Sequence, residues 1–140
     1  MRINHSAARD LPALPAPESL PIQPDERVLF LADLSMYGDE QDKFLGSSAQ
    51  GRLVCALTTE SLFIRTPHAV WSFDLAGDVA SITCQRGGLF SKGWVDVELV
   101  RTETFPFDNG ETGQLSGLHL YFKKKRDLAL LGDLLAQIVQ

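Results

Sequence analysis

The chain has 140 residues, 44% of them hydrophobic and 22% charged, with 13 lysines and arginines against 18 aspartates and glutamates. That length and composition predict one soluble globular domain with its own core, and exclude collagen-like, coiled-coil and wholly disordered chains. A net charge of −5 opposes nonspecific nucleic-acid binding, which needs many cations set against phosphates. No run approaches the roughly 18 apolar residues of a membrane span, and prolines interrupt every apolar run near the N-terminus before a leader forms. The expectation is a cytoplasmic protein. Cys55 and Cys84 are too few for a disulfide scaffold and fall in apolar strand-like runs, where a free thiol behaves as a small buried hydrophobe.

Five of the seven prolines, Pro12, Pro15, Pro17, Pro21 and Pro24, fall close together. Proline fixes φ and removes a backbone donor, so residues 1–24 are expected to form an extended arm, neither helix nor strand. Two PxxP spacings, Pro12 to Pro15 and Pro21 to Pro24, would suit an aromatic groove on a partner. The plainer reading is a tether whose Leu11, Leu14, Leu20 and Ile22 lie against the chain's own domain.

From Arg27 the pattern turns to alternation. Val28, Phe30, Ala32, Leu34 and Met36 predict a first strand with one apolar face. A polar loop over 38–51 carries Asp39, Glu40 and Asp42 against Lys43. Leu53, Cys55 and Leu57 mark a second strand, residues 62–65 a third, and Trp71, Phe73 and Leu75 a fourth. Ala80, Ile82 and Cys84 mark a fifth. Val95, Val97 and Leu99, against Asp96 and Glu98, give a sixth with one wet face. Residues 103–113 hold Pro106, Asn109-Gly110 and Gly113 and read as a loop. Leu118, Leu120 and Phe122 form a seventh strand. The period then changes, and Leu128, Leu131, Leu135 and Ile138 draw the apolar stripe of a closing helix, with Gly132 inside it. The fold class expected is mainly β: a seven-stranded antiparallel sandwich or barrel over 25–140, capped by one C-terminal α-helix.

This order resembles the pleckstrin-homology-like superfold, and more closely its bacterial PH-like and GRAM-like branches, over residues 25–140. Asp25-Glu26-Arg27-Val28-Leu29 is similar to the start of that family's first strand. The stretch from Gly51-Arg52-Leu53-Val54 through Leu57-Thr58-Thr59-Glu60-Ser61-Leu62-Phe63 is similar to its second hairpin. Trp71-Ser72-Phe73-Asp74-Leu75 with Val79-Ala80-Ser81-Ile82 is similar to its crossing between sheets. The resemblance implies a PH-like sandwich and a binding or scaffolding module, since such folds are seldom enzymes by themselves. The family's lipid-binding members hold inositol phosphates with basic residues around the first hairpin. Here that loop carries three acids and one lysine, and Glu103, Asp108 and Glu111 follow in the loop over 103–113. Like charges oppose a multiply charged phosphate at that place.

Catalytic signatures are lacking. His5, His68 and His119 are far apart, and no HExxH or GxSxG string occurs. Gly87-Gly88 and Lys92 lead into a strand and not into the helix that a phosphate loop requires. Asp96 and Glu98 share a wet strand face, where such charges are ordinary. The reading is a non-enzymatic protein with no catalytic, cofactor-binding or metal-binding residues.

Two stretches point to recognition. In Arg86-Gly87-Gly88-Leu89-Phe90-Ser91-Lys92-Gly93, two large apolar residues stand between two cations. Exposed, Leu89 and Phe90 would enter a partner's pocket or a membrane interface, with Arg86 and Lys92 holding anionic groups. Tucked, they would close the barrel mouth. In Lys123-Lys124-Lys125-Arg126, four cations open the closing helix, either as a solvated strand end or as an anion site built with free backbone N–H groups. The function expected is recognition of a protein or peptide partner, with binding to an anionic lipid or membrane surface as the alternative. Sheet edges offer a route to homo-oligomers.

Overall fold

Alternating apolar residues from Val28 onward build one antiparallel sheet in the computed structural model, which describes residues 1–89, 92–106 and 111–140, with Pro106 by its backbone. Its strands are β1 (Val28–Asp39), β2 (Phe44–Ser47), β3 (Leu53–Thr58), β4 (Ser61–Arg65), β5 (Val70–Asp74), β6 (Val79–Gln85), β7 (Trp94–Pro106) and β8 (Thr112–Phe122). The helices are α1 (His5–Arg9) and α2 (Lys125–Ile138). Seven strands run in the order β5-β4-β3-β1-β8-β7-β6, and the short β2 pairs with the far end of β1. The architecture is therefore the expected one: mainly β, a curled antiparallel sheet of seven strands with one C-terminal helix.

The inward faces meet in one core. Leu53, Cys55 and Leu57 of β3, Val95, Val97 and Leu99 of β7, and Leu118, Leu120 and Phe122 of β8 are all buried. Leu131, Leu135 and Ile138 of α2 join them, which is the burial the helical stripe calls for. Leu128 departs from the stripe: it is only partly buried, at the edge of the core. Between β5 and β7 the sheet is drawn together by rings. Phe105 lies 4.9 Å from Trp71 and 5.3 Å from Phe73, centroid to centroid, and Tyr37 meets Trp71 edge-on at 5.3 Å.

Several expectations are corrected. Part of the polar loop over 38–51 pairs as β2, because Asp39 turns the chain tightly by accepting hydrogen bonds from the Gln41 and Lys43 backbone N–H groups, at 2.9 and 2.8 Å. Of the stretch read as a loop over 103–113, the described residues are strand apart from Glu111: β7 runs to Pro106 and β8 begins at Thr112. Those strands keep pairing past a bulge, since Glu98 faces Gly117 whereas Glu103 faces Leu115. A register shift at Val79/Ser81 buries Val79 and leaves Ala80 exposed, opposite to simple alternation.

The first 24 residues are not extended throughout. Asn4 caps α1 by accepting from the Ala7 N–H at 3.1 Å, and Ala8 is buried in the main core. The proline-rich stretch lies on its own domain, with Leu14 bridged to Val28 and Leu20 packed among Ala56, Phe63 and Ile22.

Candidate functional site

One cation from each of the two stretches singled out above, Arg86 and Lys125, lines a common cleft. The edge strand β6 ends at Gln85, the chain continues through Arg86, and β7 starts at Trp94 with α2 packed across β6. Gly93 sets how closely these parts approach, because a Cβ there would collide with the Leu128 side chain and the Gln85 carbonyl. Between the connection and the helix is a cleft of about 420 Å³. Cys84, Leu128 and Ala129 supply its apolar lining, Gly87, Gly88 and Gly132 its side-chain-free walls. Arg86, Lys125 and Asp133 bring charge to it.

Burial pushes the Cys84 thiol above its ordinary pKa, and it pushes the wholly enclosed Cys55 up to about 12. Both are free thiols, and both stay protonated at neutral pH. Cys84 thus contributes an apolar surface and no nucleophile. Arg86, Lys92 and Lys125 are exposed and form no ion pair among the described residues. Their charges are available to a ligand.

The sequence-derived candidates divide as follows. Arg86 and Lys125 line the cleft, whereas Leu89 stands beside it, 98% exposed and not folded back. Lys92 is exposed near the end of the same connection, and Phe90 lies outside the described residues. The run Lys123–Arg126 does not converge on one point. Lys124 and Arg126 border a different hollow of about 230 Å³ that also holds Arg52, Asp33 and Asp127. There Arg52 Nε pairs with Asp33 at 2.9 Å, and Arg126 Nε lies 3.9 Å from Asp127. The Lys123 N–H donates to the Asp33 carbonyl at 3.0 Å, so that donor is already taken. Lys124 stands at the N-cap of α2 without a side-chain cap bond.

Sequence reasoning missed the helix side of the cleft: Leu128, Ala129, Gly132 and Asp133. The signal available was Gly132, a helix-weakening residue inside an otherwise regular apolar stripe.

Two other places gather charged side chains. A hollow of about 690 Å³ opens at the barrel mouth between the β1–β2 turn and the start of β8. Asp39 and Glu111 border it together with Lys43 and His68, so one acid of each loop reaches this place, whereas Asp42 is held by Tyr121 and Glu103 lies beside Arg101. On the outer face of the sheet, Asp96 and Glu98 take separate partners. Asp96 lies 3.3 Å from His119 Nε2, while Glu98 accepts from the Ser81 hydroxyl at 3.3 Å. They do not form a carboxylate pair. Among the described residues no cluster of three or more His, Cys, Asp or Glu is placed to hold a metal ion, and no helix is long and apolar enough to cross a membrane.

Comparison with known protein families, with curated proteins and with solved structures finds no match for this chain.

Proposed function

We propose that this chain is a cytoplasmic, non-enzymatic PH-like module that recognises a protein or peptide partner through the cleft between α2 and the β6–β7 connection. The strand order supports the PH-like reading: β1, β3, β4 and β5 form one meander, β6, β7 and β8 another, and the two join where β1 pairs with β8. The observation that carries the binding reading is the cleft itself, an apolar recess with the unpaired cations Arg86 and Lys125 at its lining. Apolar pockets with a few convergent polar groups are the usual form of a recognition site. The acidic barrel mouth, by contrast, is poorly suited to a phosphate-rich ligand.

A second reading, peripheral binding to an anionic membrane, draws on Leu89, which projects into solvent between Arg86 and Lys92. A photo-crosslinking amino acid at position 89, compared with one at the exposed Val70 on the opposite edge strand, separates the two in native lysate. A discrete protein adduct from position 89 and none from position 70 supports the partner reading. Absence of an adduct, with sedimentation on phosphatidylserine vesicles but not on phosphatidylcholine vesicles, supports the membrane reading instead.

A further inference from the structure

We propose that the cleft between α2 and the β6–β7 connection accepts one bulky apolar side chain flanked by carboxylates on a partner's peptide, and that Gly132 is the residue that keeps it open. This rests on the binding-module reading and names the chemistry of the occupant.

The first observation is that packing does not require glycine at position 132. A Cβ built there finds its nearest neighbours at Cys84, 3.8 Å from Cβ and 3.9 Å from Sγ, which is ordinary contact. Alanine would fit, and glycine weakens a helix interior relative to alanine. Gly93 differs, because its missing side chain is demanded by Leu128 and the Gln85 carbonyl. What the bare Gly132 position leaves is open volume over Cys84, in a recess of about 420 Å³. That is room for one large side chain and part of its backbone.

The second observation is charge. The chain carries a net −5, yet Arg86 and Lys125 line this recess against the single acid Asp133. This local reversal of sign attracts acidic segments and repels basic ones. Asp133, also on the lining, favours a peptide over an anionic lipid. Its carboxylate can accept a hydrogen bond from a peptide N–H, a donor that an acyl chain lacks. The acidic remainder of the molecule likewise opposes approach to an anionic bilayer.

The test is selection from a random peptide display library on the wild-type protein, followed by fluorescence anisotropy with the synthetic winners. The expected winners carry acids around one leucine, phenylalanine or methionine. Gly132→Met should fill the recess and weaken them about ten-fold or more, while Gly132→Ala, which takes only part of the space over Cys84, should weaken them less. Arg86→Glu, in an exposed connection where folding is not at stake, should weaken them comparably. Winners rich in lysine and arginine, or winners indifferent to both Gly132→Met and Arg86→Glu, would overturn the inference and leave the module reading standing. Phosphatidylserine-vesicle binding lost in Gly132→Met, with no peptide enriched, would overturn it in favour of an acyl chain. Neither peptide nor vesicle binding would overturn the module reading as well.

Discussion

Asp42 and Tyr121 are joined by a 2.7 Å hydrogen bond in which the phenol donates to the carboxylate, fastening the β1–β2 turn to the outer face of β8. His119 Nδ1 lies 3.3 Å from the same carboxylate oxygen. Asp42 holds a left-handed backbone conformation, φ 61°, which aspartate and asparagine tolerate better than most residues. The Tyr121 hydrogen bond, with smaller help from His119, keeps the Asp42 carboxyl below its usual value of 3.8. Burial, and the carboxylate it faces, push the Tyr121 phenol up to about 12.

The two shifts make opposite predictions at the two ends of the pH scale. A carboxyl with a lowered pKa in the fold stabilises above its unfolded value and loses that contribution as pH falls through the folded one. A phenol with a raised pKa stabilises below its usual 10 and loses that contribution as pH climbs through about 12. Asp42→Asn keeps the backbone conformation and removes the charge. Its stability deficit relative to wild type should be constant near neutrality and close up below about pH 4 in denaturant titrations. Tyr121→Phe should cost about 0.5–1.5 kcal/mol at pH 7 and flatten the alkaline decline. Parallel wild-type and variant profiles would show that the latch contributes nothing.

Glu26 should behave in the reverse sense. Its carboxylate accepts the Thr58 hydroxyl at 3.0 Å, but burial raises its pKa, and Glu60, Asp25 and Asp74 raise it further. The folded protein therefore holds that proton more tightly than the unfolded chain, and stability falls as pH rises through the folded pKa. Glu26→Gln retains an acceptor for Thr58 and should melt higher than wild type at pH 7, with the gain vanishing below about pH 4. A lower melting temperature at pH 7 would mean that the carboxylate is needed where it lies.

Packing predictions follow from the helix. Leu131 is 2% exposed, so Leu131→Ala should cost about 2–5 kcal/mol. The same methyl group added at two glycines should have opposite effects. Gly93→Ala forces Leu128 or the backbone at Gln85 to move, and should cost about 1–3 kcal/mol. Gly132→Ala makes only ordinary contact with Cys84 and should gain up to about 1 kcal/mol. Chemical denaturation of the three variants checks all of these.

The seven principal strands and the closing helix were legible because alternation survives wherever pairing is regular. It failed where the register slips. Between Leu34 and Met36 the pairing of β1 with β8 shifts, so Tyr37 is wholly buried while Met36 is not, against the alternation that places Met36 inside. Nothing local to the sequence reports such a bulge, since it depends on the partner strand. β2 was hidden because Lys43 and the neighbouring acids give its turn the composition of a loop. Half of the cleft was legible, as Arg86 and Lys125 stand out in their stretches. The helix side was not, because Leu128 reads as one more stripe residue until the connection after β6 is placed beside it.

The central claim is that recognition takes place at this cleft, and a two-dimensional amide NMR titration addresses it most directly. The probe is a short synthetic peptide carrying one phenylalanine among aspartates and glutamates. Shifts confined to residues 84–89 and 125–133, and lost in Gly132→Met, are the predicted result. Shifts centred on the barrel mouth at residues 39–45 and 111–115, or none anywhere at saturating peptide, would contradict it.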